Sequence, residues 1–212
     1  MSKKKSLIDR IRQEIGSVFF NGTLLLKNEG PVIETEGCAR AINDFDDFPP
    51  KYVTVTPWLN DKFAVYIKIK KMLSSTSPLY FASICFFAKQ GGDQYDQLFR
   101  AEWDSYQDGV SHPQPHWHIT TTKPIERRFK DLETDGDLGG FAKLMEDEQR
   151  KSLNVPKMHF AMSWKSYNFV ENSQLNSEDL LIDWLTFLFG HVRTELTYIS
   201  KHDCLENEKV KS

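Results

Sequence analysis

The sequence has little cysteine, no long apolar run and no strong charge of either sign, and each shortage removes a class of protein. The three cysteines, Cys38, Cys85 and Cys204, are odd in number and share no Cys-x-x-Cys spacing. That argues against a disulfide framework and against a cysteine zinc cluster. Cys85, inside "ICFF", reads as a small buried hydrophobe. The longest apolar stretch, "LLIDWLTFLFG", is short and interrupted by Asp183, too little to span a membrane. Charges from Asp9 to Glu14 follow the basic start at Lys3 to Lys5, where a signal peptide would have its apolar core. A cytoplasmic protein with no membrane partner is expected. A net charge of -3 gives no general attraction for nucleic acid. A nucleic-acid partner would need a local basic patch such as Lys68, Lys70 and Lys71, or Lys123 with Arg127, Arg128 and Lys130. Walker, Gly-x-Gly-x-x-Gly, Gly-x-Ser-x-Gly, His-Glu-x-x-His and EF-hand patterns are all missing, which removes support for the common nucleotide and hydrolase folds.

What the chain does have is enough apolar and aromatic material, 40% and 13% of 212 residues, to bury a real core. A single domain over 1–212 is expected. Leu7, Ile8, Ile11, Ile15, Val18 and Phe19 recur at steps of three and four, which predicts an amphipathic helix over 3–20 that packs on its own sheet or on a partner protein. "NDFDDFPPKY" marks a turn. A meander of strands follows over 52–122, in the segments 52–58, 63–71, 79–88, 96–104 and 116–122, which are rich in β-branched and aromatic residues and separated by turn signals. "FAVYIKIKK" alternates, with Tyr66, Lys68 and Lys70 on a wet face and Val65, Ile67 and Ile69 on a dry one. "LYFASICFFA" is apolar throughout and fits a central strand covered on both sides.

Residues 123–155 read as a charged loop and helix, 157–164 as a further strand, and 177–201 as a C-terminal helix. That last helix has Asn176 and Asp179 at its start and a wide stripe from Leu180 to Ile199. The tail after His202 is expected to fray. Together these predict an α+β fold: a largely antiparallel sheet of five or six strands, with the N- and C-terminal helices on one face and a more polar face around two histidines.

Those histidines lie in "QPHWHITTTKP". On a strand His116 and His118 share one face while Trp117 points to the other. In the preceding strand Arg100, Glu102 and Asp104 share a face opposite Phe99, Ala101 and Trp103. A symmetric hairpin places Asp104 across from His116 and Glu102 across from His118. His159 in "KMHFAMSW" is a candidate for the same surface. Two imidazoles with a carboxylate are a ligand set for a divalent metal, Mn²⁺, Mg²⁺ or Zn²⁺, with His116, His118, Asp104 and His159 as candidate ligands and Glu102 as ligand or base. The same residues can equally be a solvated strand face with cross-strand ion pairs, or a metal-free catalytic pair. His112 reads as a loop residue, and His191, within the apolar C-terminal helix, as a packing residue.

"PHWHIT", 115–120, resembles the His-hydrophobic-His strand of the HUH endonucleases. "YISK", 198–201, resembles the Tyr-x-x-Lys segment of some replication initiators. The resemblance covers some ten residues and implies metal binding at His116 and His118, with Tyr198 as nucleophile and Lys201 as its helper. His118-Ile119-Thr120 is also similar to the half-motif of the metal-independent 2H phosphoesterases, although His159-Phe160-Ala161 puts alanine where the second half needs a hydroxyl. The expected function is metal-assisted phosphodiester cleavage, by a nuclease-like enzyme or a degenerate relative of one. The alternative is a non-enzymatic adaptor in a multiprotein complex, or a homo-oligomer, joined through its amphipathic helices.

Overall fold

A computed structural model describes residues 5–43, 51–72, 78–91, 94–104, 114–119, 160–161 and 174–209. The chain opens with a helical segment made of α1 (Leu7–Ile11), a π-helical turn (Arg12–Gly16) and α2 (Ser17–Phe19). Ser6 caps it by accepting from the Asp9 N–H at 3.3 Å, which satisfies one of the first-turn donors. Ile11 and Ile15 are buried, as the apolar stripe predicts, but Val18 is 57% exposed and Phe20 is buried. The π turn has more residues per turn than an α-helix and delays the inward stripe by about one residue.

Nine strands follow among the described residues: β1 (Leu26–Glu29), β2 (Val32–Thr35), β3 (Ala39–Asn43), β4 (Lys51–Trp58), β5 (Phe63–Met72), β6 (Leu79–Gly91), β7 (Gln94–Trp103), β8 (His116–Ile119) and β9 (Phe160–Ala161). All pairings are antiparallel, in the order β1-β2-β5-β6-β7-β8-β9, with β4 also on β5 and β3 on β4. The sheet is open and the class is α+β. One edge of β5 is shared, by β2 at Lys68 to Lys70 and by β4 at Phe63 to Val65. Between the two, the Ile67 N–H donates to the Thr35 hydroxyl at 2.7 Å, a side chain completing the ladder where neither strand does.

The C-terminal helix α3 (Glu178–Lys209) continues past the expected end at 201. Its cap is Ser177 instead of Asn176: the Leu180 N–H donates to Ser177 Oγ at 3.1 Å. Leu181, Trp184, Leu185, Leu188, Phe189, Val192 and Leu196 are buried, in one cluster with Ile11, Ile15, Val65, Ile67, Ile69, Ile84, Ala101 and Trp103. Both helical segments therefore cover the same face of the sheet, where Trp103 meets Trp184 edge-on at 5.8 Å. Arg10 pairs with Asp179 at 2.8 Å and joins the first helix to the start of α3. His191 is a correction: it is exposed and stacks on Phe187, because its position falls on the outer side of α3. Among the described residues no helix is long and apolar enough to cross a membrane.

The second face carries its own smaller core of Ala41, Val55, Ala64, Tyr66, Cys85, Phe87 and Tyr95. The paired strands β3 and β4 supply Ala41 and Val55, and β3 comes close to β7. Tyr66 is therefore buried, whereas Lys68 and Lys70, further along the same strand, are exposed. β6 lies between β5 and β7 and is buried on both sides from Ala82 to Phe87, as its apolar run predicts.

Candidate functional site

β7 ends Phe99-Arg100-Ala101-Glu102-Trp103, apolar and charged by turns, which a strand sends to opposite faces. Ala101 and Trp103 enter the main core, and Arg100 and Glu102 take the other side. A β-bulge sets this phase. Phe87 faces Gln97 while Phe86 faces Phe99, leaving Leu98 as the extra residue. Without the extra residue, Tyr95 and Gln97 could not share a face with Arg100 and Glu102 in this numbering.

In β8, Trp117 packs edge-on against Phe99 at 5.3 Å. His116 and His118 consequently point to the second face. The register pairs Glu102 with His116 and Arg100 with His118. This corrects the expected pairing of Asp104 with His116 and of Glu102 with His118. The displacement is two residues, which keeps every side chain on its face, so the hydrophobic pattern does not distinguish the two registers. Asp104 instead meets Gln114. Its backbone N–H donates to Gln114 Oε1 at 3.0 Å, and Gln114 Nε2 donates to Asp104 Oδ1.

The result is a compact buried group. His116 is 0% exposed, and Arg100, Glu102 and His118 are each 6% exposed. These side chains are not a solvated strand face. Glu102 Oε2 lies 2.9 Å from His118 Nε2, 3.7 Å from His116 Nε2 and 3.1 Å from an Arg100 guanidinium nitrogen. The two Nε2 atoms are 2.9 Å apart. Burial pushes the Glu102 carboxyl upward, but hydrogen bonding from His116 and His118 and the Arg100 charge outweigh burial and hold it well below the usual carboxylate range.

Hydrogen bonding alone does not account for the contacts. His118 Nε2 has one in-plane hydrogen or lone pair, yet it has two neighbours at 2.9 Å. It cannot form a full hydrogen bond to both. What Nε2, Nε2 and Oε2 share is the capacity to donate a lone pair, and a cation between them would resolve the conflict. Donors on a tetrahedral zinc-like ion, with bonds of about 2.0–2.2 Å, lie about 3.3–3.6 Å apart, and the separations of 2.9, 2.9 and 3.7 Å bracket that range. Glu102, His116 and His118 can hold a metal ion.

The other candidates are not assembled here. Asp104 stands outside the group, occupied with Gln114. Tyr198 is 60% exposed on α3, the helix that covers the opposite face of the sheet, so it does not face the histidines. Lys201 belongs to the same helix, and its side chain lies outside the described residues, as do His159 and His112. Arg100 is the member to which the sequence reading gave no part, although the alternation in "FRAEW" puts it beside Glu102. No protein-family model matches the chain, and neither a curated protein nor a solved structure matches it.

Proposed function

We propose that the chain holds one divalent metal ion through Glu102, His116 and His118 and acts as a metal-assisted phosphodiesterase, nuclease-like in its chemistry. The observation that carries this is the convergence of three lone-pair donors at distances their hydrogens cannot satisfy. Two imidazoles and one carboxylate leave coordination positions open, as catalytic zinc sites do. Nitrogen donors favour Zn²⁺ over Mn²⁺ and Mg²⁺, which prefer oxygen. Bound there, the ion would supply a Lewis acid for a phosphoryl oxygen and lower the pKa of water.

His116 and His118 would each offer an imidazole nitrogen, Glu102 would supply negative charge, and Arg100 sets a cation beside that carboxylate inside the protein. Tyr198 sits on the wrong side of the sheet for covalent attack, so the proposed nucleophile is water. Lys68 and Lys70 support an extended phosphate substrate such as nucleic acid. Both are exposed on the face that carries the histidines. Lys68 belongs to the cross-strand row Lys68, Ser83, Glu102, His116, about 10 Å from Glu102 at two strand spacings.

The burial of His116 favours a second reading, in which the ion ties β7 to β8 in an interaction protein. Such a protein would need a surface other than the inner stripes of its two helices, which are buried in the core. One experiment separates the two readings. Protein purified without an affinity tag is measured for metal and for hydrolysis of bis(p-nitrophenyl) phosphate, beside His116→Ala and His118→Ala. One ion per wild-type chain, lost in both folded variants together with hydrolysis, supports the enzyme. Metal without hydrolysis leaves the structural ion, and metal-free wild type overturns the site.

A further inference from the structure

Arg100 is buried in the middle of the polar face, directly across the ladder from His118. Its guanidinium reaches Glu102 at Oε2, the oxygen that also faces both imidazoles, at 3.1 Å against 2.9 Å for His118 and 3.7 Å for His116. The charge of a paired cation draws electron density away from an oxygen and so weakens that oxygen as a donor to a second cation. Glu102 is thereby made a weaker donor at Oε2, the atom that faces both imidazoles.

The consequence depends on the ion. Hard cations such as Mg²⁺, Ca²⁺ and, to a large degree, Mn²⁺ are held mainly by carboxylate charge. Zn²⁺ and Co²⁺ draw more of their binding from imidazole. Resting on the metal-site reading above, we propose that Arg100 is the specificity-determining positioning residue of that site: by holding Glu102 through its metal-facing oxygen, it biases the site toward imidazole-preferring ions and against oxygen-preferring ones.

The test is a competition between Zn²⁺ and Mn²⁺ for the metal-stripped full chain, read as the ratio of their dissociation constants. Wild type is compared with Arg100→Met, which keeps the apolar stem and removes the charge, and with Arg100→Lys, which keeps the charge. The expected result is a shift of about tenfold or more toward Mn²⁺ in Arg100→Met, in the range that outer-sphere partners of metal ligands commonly control, with Arg100→Lys close to wild type. Should Arg100→Met fail to fold, Arg100→Gln takes its place, since its amide keeps a polar group at this position without a charge, and the same direction of shift is expected. The Co²⁺ absorption spectrum should change with the uncharged variant and recover with lysine. An unchanged Zn²⁺/Mn²⁺ ratio in folded, metal-binding Arg100→Met or Arg100→Gln overturns the role of Arg100 and leaves the site standing. A wild-type chain that binds neither ion overturns the site and this role together.

Discussion

Glu102 holds its charge in a place where burial alone would neutralise it, and the groups responsible are His116, His118 and Arg100. Removing the carboxylate leaves a buried guanidinium without this partner, a change that in buried ion pairs costs about 3–5 kcal/mol. Glu102→Gln is therefore expected to be destabilised by about 3 kcal/mol at pH 7 in chelator-treated protein. The folded pKa lies below the unfolded one, so the stabilisation is fully present above the unfolded value near about 4.3 and is lost as pH falls through the interval beneath it. Urea unfolding at pH 7 and at pH 3.5 should show the gap between wild type and variant narrowing at the lower pH. A constant gap would mean that the Glu102 charge does not stabilise the fold. At this scale the sequence was informative: alternation alone placed Arg100 and Glu102 on one face and the two histidines on one face. It did not determine which carboxylate stands opposite which imidazole, because a shift of two residues leaves the alternation unchanged.

Among the elements, the short strands β1 to β3 were the hardest to read. Leu26–Glu29 and Val32–Thr35 are only four residues each, and both carry exposed or half-buried polar residues, so neither shows the long alternation that marked β5 or the apolar run that marked β6. Their signal is the Gly30-Pro31 pair between them, with Gly30 at a φ of 64° that suits glycine. Gly37 is a second constraint. A Cβ there would come within 1.9 Å of the Val55 carbonyl oxygen, so the chain lies flat against β4 before it pairs as β3. Gly37→Ala must push backbone against backbone, and a loss of about 1–3 kcal/mol is expected from such overpacking, measured by urea unfolding. The metal content per folded chain should stay at the wild-type value, because Gly37 contacts β4 and not the Glu102 group. A variant as stable as wild type would show that this approach can relax freely.

For the whole molecule, the two faces of the sheet do different work. The helix-covered face holds most of the large buried side chains, and the other joins a small apolar core to a polar buried group. An ion bound only by the folded chain adds stability in proportion to its occupancy, about 2.7 kcal/mol at a hundred times its dissociation constant. For a chain of this size that is a rise in Tm of about 2–4 °C per kcal/mol. Calorimetry with and without added Zn²⁺ should show the rise in wild type and none in His116→Ala. An equal rise in both would place the bound ion somewhere other than this group.

By itself the sequence determined the α+β class, the antiparallel pairing, the helix-covered face and the pairing of apolar with polar along β7 and β8. All of these follow from local period, and a period of two or of 3.6 residues is written into the order of side chains. Only the tertiary structure decided the register that brings Glu102 to His116, the bulge at Leu98, the burial of the polar group and the separation of Tyr198 from it. Each of those depends on which distant segment lies alongside, and that choice is made by packing across the sheet, where residues far apart in the chain become neighbours.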